Sequence, residues 1–204
     1  AGLCEQVKLV SLTGTEADRE AFVRRELKPN VEAVLLHKPD SPTIVKKRYL
    51  DHYSRQKLFE VCHLNDQPVA DAAEEALLER IRDEAPAFDL VMISDFGHGM
   101  ITPRVIDTVA EASRHWAVNA QTNAANRGYN LITKYRHPDY VCLDEPELRL
   151  AAQAKHEPIE HVARRIAGEI SAGRLIVTRG KSGSVGVDAE GDVSRTPILC
   201  SRVV

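Results

Sequence analysis

The chain has 204 residues, with 27 Lys and Arg against 30 Asp and Glu for a formal net charge of -3, a near balance that excludes a general nucleic-acid or polyanion binder. At 43% hydrophobic and 28% charged residues it falls in the globular range, and no apolar run approaches the ~18 residues of a bilayer span. The cysteines Cys4, Cys62, Cys142 and Cys200 are too widely spaced for a disulfide framework or a zinc site, so a cytoplasmic protein without nucleic-acid or membrane partners is expected.

Strand-length apolar runs alternate with helix-length amphipathic stretches, which predicts an α/β fold with a mainly parallel sheet. Val7 to Thr13 is predicted as a strand, followed by a helix over Glu16 to Lys28 that ends at Pro29. Val31 to His37, Thr43 to Leu50 and Gln56 to His63 are three strand-like runs with no helix between them, joined by Pro39-Asp40-Ser41-Pro42 and a polar turn near His52. They predict a small β-sheet standing off the main body. Asp89 to Ser94 has the continuous apolar character of a central strand. Thr102-Pro103 supplies an N-cap and a pre-set first turn for a helix burying Val105, Ile106, Val109 and Ala110. Strands at Trp116 to Asn119 and Tyr140 to Leu143 follow, then helices over Glu145 to Gln153 and Pro158 to Ala172, the second closed by Gly173. Arg174 to Thr178 is the last strand of the series, and Ser184 to Asp188 with Asp192 to Thr196 form a hairpin around Ala189-Glu190-Gly191.

Three junctions carry residues suited to chemistry. Thr178-Arg179-Gly180-Lys181-Ser182-Gly183 follows a buried strand; its glycines let backbone N–H groups approach an anion, and Thr178 and Ser182 add hydroxyls. A Gly-rich turn without a ligand has the same pattern, and a Walker A loop is excluded because position 175 is Leu. Asp95-Phe96-Gly97-His98-Gly99 lies between a strand and a helix, where open α/β sheets bind ligands; an Asp capping a glycine-relieved turn is the alternative. Asp144-Glu145-Pro146-Glu147 places three carboxylates at a helix start, where they suit capping and could also hold Mg²⁺ through water. Lys46 and Arg48 share one face of a strand in the stand-off sheet, able to meet a phosphate or sugar or to stand in solvent. The eight histidines show no zinc-ligand spacing.

The order of these pieces resembles the PfkB (ribokinase-like) carbohydrate kinases, and among them the bacterial heptose-7-phosphate kinase type. Thr43 to Asp51, Ser94 to Gly99, Asp144 to Glu147 and Thr178 to Gly183 carry the resemblance, the last two looking like the family's Asn-x-x-Glu and Thr-x-Gly-x-x-Gly motifs. It implies a three-layer α/β sandwich with a β lid over residues 31–63, and phosphoryl transfer from MgATP to a sugar or sugar phosphate. A noncatalytic nucleotide- or sugar-phosphate-binding module of the same fold is the other function considered. Thr178, Gly180, Ser182, Gly183, Asp144 and Asp95 would lie on the nucleotide side, Glu147 would serve Mg²⁺, Lys46 and Arg48 would face the sugar, and the lid would clasp a second copy as a homodimer. The chain departs from the family in having Asp144 for the motif's Asn, Asn119 for an Asp often found at the end of the preceding strand, and Cys142 where some members place a phosphate-binding Lys. The family's Gly-Gly sugar motif would precede residue 1 and its catalytic-base segment would follow Val204. Residues 1–204 are therefore expected to form one incomplete domain, with no catalytic residue assigned and no turnover by the isolated chain.

Overall fold

The computed structural model describes residues 2–16, 19–69, 71–123 and 126–198, so Cys200 lies outside the described residues. The chain divides into two compact units, Ala1–Leu77 with His98–Met100, and Leu78–Gly97 with Ile101–Val204.

The first unit contains β1 (Val7–Glu16), α1 (Glu20–Glu26), β2 (Val31–Pro42), β3 (Val45–Leu50) and β4 (Lys57–His63). All three runs expected to be helix-free are strands. Their pairing divides them: β2 lies parallel to β1, with Val7 opposite Val31, whereas β3 and β4 form their own antiparallel pair. The Pro39 to Pro42 stretch, expected as a joint, belongs to β2. Two-stranded sheets have only edge strands, where proline is tolerated, and Ser41 is held there by its Oγ donating to Pro39 O and accepting from Asn65 Nδ2. Helix α1 starts four residues later than expected because Glu16 is still strand, and none of its residues is buried. Asp51 Oδ1 accepts from the backbone N–H groups of Tyr53 and Ser54 and from Ser54 Oγ, forming the turn between β3 and β4. Tyr49 and Phe59 pair across this hairpin with ring centroids 4.4 Å apart, yet remain 47% and 53% exposed.

Helix α2 (Asp71–Glu84), in a stretch the apolar pattern left without an element, carries the chain from the first unit into the second. The second unit continues with β5 (Val91–Asp95), α3 (Pro103–Ala112), β6 (Trp116–Ala120), β7 (Tyr140–Asp144), α4 (Glu145–Ala151), α5 (Ile159–Ile170), β8 (Arg174–Thr178), β9 (Ser184–Asp188) and β10 (Val193–Thr196). Its six-stranded sheet has the order β10-β9-β8-β7-β6-β5, with β5 to β8 parallel and β9 and β10 antiparallel. The fold class is α/β with a mainly parallel sheet.

Ile159, Val162, Ala163, Ile166, Ala167 and Ile170 recur at helical spacing and are buried, so α5 presents one apolar stripe to β8 and β9. Val141, Leu143, Leu175, Val177 and Val185 meet that stripe from the sheet. Each fully buried Val, Leu or Ile here contributes about 1.5–3 kcal/mol relative to exposure. Thr102 caps α3 as expected, its Oγ1 accepting from Val105 N at 3.2 Å.

Three expectations are corrected. Ala110, expected on the buried face of α3, is exposed, and Thr108 is buried there with Val105, Ile106 and Val109. Strand β5 ends the described sheet instead of lying within it, and Met92 is 69% exposed; an apolar run alone does not distinguish a central strand from an edge. The left-handed residue closing α5 is Ser171, at φ 52°, not Gly173. Gly173 instead packs against the segment before β7, where a Cβ would lie 2.8 Å from Asp139 O.

Candidate active site

In a parallel sheet the residues that leave the carboxyl ends of adjacent strands lie side by side, and these ends form the crevice where open α/β sheets bind ligands. The register brings two of the sequence motifs together: Asp144, last in β7, is the Cα partner of Thr178, last in β8. The cleft at this junction is lined by Asp144, Glu145, Pro146, Arg149, Thr178, Arg179 and Gly180, and measures about 450 Å³.

The chain reverses at Asp144 into α4 through a capping box, in which Glu147 N donates to Asp144 Oδ1 at 2.7 Å and Asp144 N donates to Glu147 Oε2 at 3.0 Å. The other Glu147 oxygen, Oε1, accepts from Thr122 N at 3.0 Å, which ties the segment after β6 to the start of α4. Burial, the largest cause, pushes the Glu147 carboxyl above its ordinary range even though both oxygens accept backbone N–H groups. Burial likewise raises the Cys142 thiol, with the charge of Glu147 adding to it. Asn119 reaches across the sheet, its Nδ2 donating to Cys142 O at 2.7 Å.

After β8 the chain makes a tight 3-10 turn. Ser182 N donates to Arg179 O and Gly183 N to Gly180 O, so the turn itself consumes those two donors, and the N–H groups of Gly180 and Lys181 have no acceptor among the described residues. A Cβ on Gly180 would meet nothing within 4 Å, whereas Gly183, at φ 76°, is required structurally because its Cβ would overlap Thr196 O. Ser182 is exposed and does not line the cleft. Thr178 Oγ1 donates to Leu143 O at 3.3 Å, joining the same two strands.

Asp95 ends β5, three strands from Thr178 in the sheet order, a span of about 14 Å at ordinary strand spacing. Its carboxylate is 3% exposed and accepts from Tyr135 Oη at 2.7 Å, Lys134 Nζ at 2.6 Å and Gly97 N at 2.8 Å. Burial, then the Asp95 charge, pushes the Tyr135 phenol above its usual range. Gly97, at φ 68°, lies against Asn126, whose Nδ2 donates to Phe96 O at 2.8 Å; a Cβ at Gly97 would overlap that amide. Asn130 Nδ2 completes the cluster by donating to Asp95 O and Gln121 O. Apolar periodicity gave no sign of Lys134, Tyr135, Asn126 and Asn130; the only local signal was the density of Asn around position 125, which reads as loop.

Lys46 and Arg48 belong to the first unit, on β3. Arg48 Nε donates to Glu60 Oε2 at 2.7 Å and holds that carboxyl down at about 2, with the Cys62 thiol and Lys57 adding to the effect.

No family model matches the chain. It is similar to the bifunctional protein HldE of Nitrobacter hamburgensis, with 30% identity over 177 residues, 85% of this chain and 35% of that protein. It also matches HldE of Rhodopseudomonas palustris strain HaA2 at 29% identity, covering 100% of this chain and 42% of that protein. Among solved structures, phosphofructokinase-2 from Escherichia coli in complex with potassium superposes with a TM-score of 0.72 at 14% identity, over 97% of this chain and 63% of that one. The chain has the ribokinase-like fold and is a relative of the HldE proteins. Ribokinase from Giardia lamblia has the same TM-score, 0.72, at 14% identity over 96% of this chain and 61% of that one. The ribokinase-like α/β sandwich expected from the motif order is thus the fold found. The chain spans less than half the length of the HldE relatives it matches, 35% and 42% for the two above.

Proposed function

We propose that the protein is an ATP-dependent carbohydrate kinase that transfers a phosphoryl group from MgATP to a hydroxyl of a sugar or sugar phosphate. The observation that carries this reading is the pairing of Asp144 with Thr178 in a ribokinase-like sheet, which sets the acidic turn and the Gly-containing turn against one cleft. The residues present fit a triphosphate and its cation. Open space at Gly180 leaves room for a phosphate beside the backbone, and Asp144, exposed, keeps Oδ2 outside the capping box. Mg²⁺ favours such hard oxygen donors together with water and phosphate oxygens. When bound, the cation would neutralise charge on the phosphates, a supply of electrostatic stabilisation on which phosphoryl transfer depends. The chain's own residues orient: Thr178 and Gly180 border the phosphates, and Glu147, through Thr122 N, fixes the segment after β6.

Further assignments belong to this reading. Residues 31–63 form the substrate lid, with Lys46 and Arg48 toward the sugar and ATP and Mg²⁺ as cofactors. The lid pairs with a second copy through the exposed Tyr49, Leu50, Leu58 and Phe59. A structural relative, phosphofructokinase-2 from Escherichia coli, is described in a tetrameric inhibited form. Among the described residues no helix is long and apolar enough to cross a membrane, in keeping with a cytoplasmic location.

One observation favours the noncatalytic module of the same fold: both Glu147 oxygens are occupied by backbone N–H groups. A coupled ADP-release assay on the full-length protein that carries these residues, run over a panel of free and phosphorylated sugars, separates the readings. Sugar-dependent ADP production supports the kinase; ATP binding without turnover on any sugar supports the module.

A further inference from the structure

The cleft contains an ionic relay that the phosphate-loop pattern does not include. Arg149 is anchored on α4: its Nη1 donates to Ala154 O and Glu157 O, and its Nε to Glu145 Oε1 at 2.9 Å. Glu145 turns its other oxygen, Oε2, to Arg179 Nε at 2.8 Å. The Arg179 guanidinium is thus held by one edge. Among the described residues its two Nη groups make no hydrogen bond, and Arg179 lines the cleft beside Thr178 and Gly180. Glu160, which also feels the Arg179 charge, is itself paired with Arg195. The side chains of Arg179 and Glu145 are 25% and 24% exposed, so the pair is reachable from the cleft but partly shielded from water.

We propose that Arg179 is the phosphate-gripping residue of this cleft, and that Glu145, braced by Arg149, is a positioning residue that presents its free Nη fork to a phosphate chain. A planar fork held at Nε is pre-organised for two parallel hydrogen bonds to phosphate oxygens. The proposal deepens the reading of the cleft as a triphosphate site and rests on it.

Glu145 gives the proposal a sign that simple charge arithmetic does not share. Removing a carboxylate near a bound polyanion strengthens binding if only Coulomb repulsion matters. Removing the tether weakens binding if orientation matters, because the fork must then be ordered when the ligand binds.

The test is calorimetric titration of the protein with ATP, tripolyphosphate and adenosine, with melting temperatures confirming that each variant is folded. Arg179→Ala is expected to weaken ATP and tripolyphosphate by about 10- to 100-fold, the range for hydrogen bonds to charged groups, without changing adenosine binding. Arg179→Lys, which keeps the charge and loses the fork, falls between. Glu145→Ala weakens both phosphate ligands, and Glu145→Gln, which retains one carbonyl acceptor, recovers part of the loss. Triphosphate binding in Arg179→Ala within twofold of wild type overturns the proposal, and tighter binding in Glu145→Ala overturns the positioning role. If the wild type binds ATP and Arg179→Ala binds equally well, only this inference fails. If it binds tripolyphosphate through Arg179 but not ATP, the nucleotide reading fails and this one stands. Binding of neither overturns both.

Discussion

Replacing Tyr135 by Phe tests whether the Asp95 cluster is a structural keystone of the second unit. Tyr135 is 0% exposed, and its hydroxyl donates to a carboxylate oxygen only 3% exposed, so water cannot replace the lost donor. A hydrogen bond to a charged group is worth about 1.5–3 kcal/mol. Asp95 keeps Lys134 Nζ at 2.6 Å and Gly97 N at 2.8 Å, which places the expected loss in the lower half of that range, about 1.5–2 kcal/mol. At roughly 2–4 °C per kcal/mol for a chain of this size, melting falls by about 3–8 °C. Asp95→Ala costs more, about 3–5 kcal/mol, because it leaves the phenol and the ammonium without their shared partner. The assay is urea denaturation followed by fluorescence of Trp116, the sole tryptophan, whose ring lies 6.2 Å from that of Tyr135. A second signature lies in alkali. The folded phenol titrates above its unfolded value of 10.0, so the folded state binds more protons there and stability falls as pH rises past that value. Tyr135→Phe removes this alkaline decline. A Tyr135→Phe protein within about 0.5 kcal/mol of wild type, the usual range for a neutral surface change, or one with an unchanged alkaline limb, refutes the keystone argument.

Thr102→Ala removes the N-cap acceptor of α3 and is expected to cost about 1 kcal/mol, read as a lower urea midpoint at constant slope. Gly183→Ala should destabilise the hairpin far more than Gly180→Ala. Both residues have positive φ, but only at Gly183 would the added Cβ overlap backbone, at Thr196 O; comparing the two melting curves decides. Arg179, the first cause, holds the Glu145 carboxyl below its usual 4.5, so that contribution is present above this pH and lost as pH falls through the depressed folded value. Acid titration should therefore destabilise wild type more steeply than Arg179→Ala below that point, and identical acid limbs would exclude the ion pair as a source of stability.

Local chemistry decided which parts of this molecule could be read in advance. The α3 cap, the α5 helix and the hairpin at Gly191 depend on residues within a few positions of one another, and each lies where the pattern placed it. The capping role of Asp144 and Glu147 was legible for the same reason, since spacing three is the capping-box distance. Asp95 was noticed, but its partners were not: Tyr135 is 40 positions away, and nothing in an isolated tyrosine signals a buried carboxylate opposite it. The Arg179–Glu145 pair likewise spans 34 positions and exists only because β7 and β8 are neighbours. The end position of β5 in the described sheet was hidden for a similar reason, because apolarity records what a residue tolerates and not which strand stands beside it.

The Asp144 and Thr178 pairing makes the geometry of the cleft depend on the peptide ladder of two short strands. The five matched positions from Tyr140 with Arg174 to Asp144 with Thr178 leave no slack between sheet and cleft. An inserted residue inside β8 would invert the facing of every side chain after it, exchanging the buried Val177 with its exposed neighbour and carrying the threonine to the opposite face. The same insertion beyond Gly183 would lengthen a surface connection and leave the ladder intact. Changes of length can thus be absorbed by the segments that follow the strands, while the strands themselves are held to a fixed count.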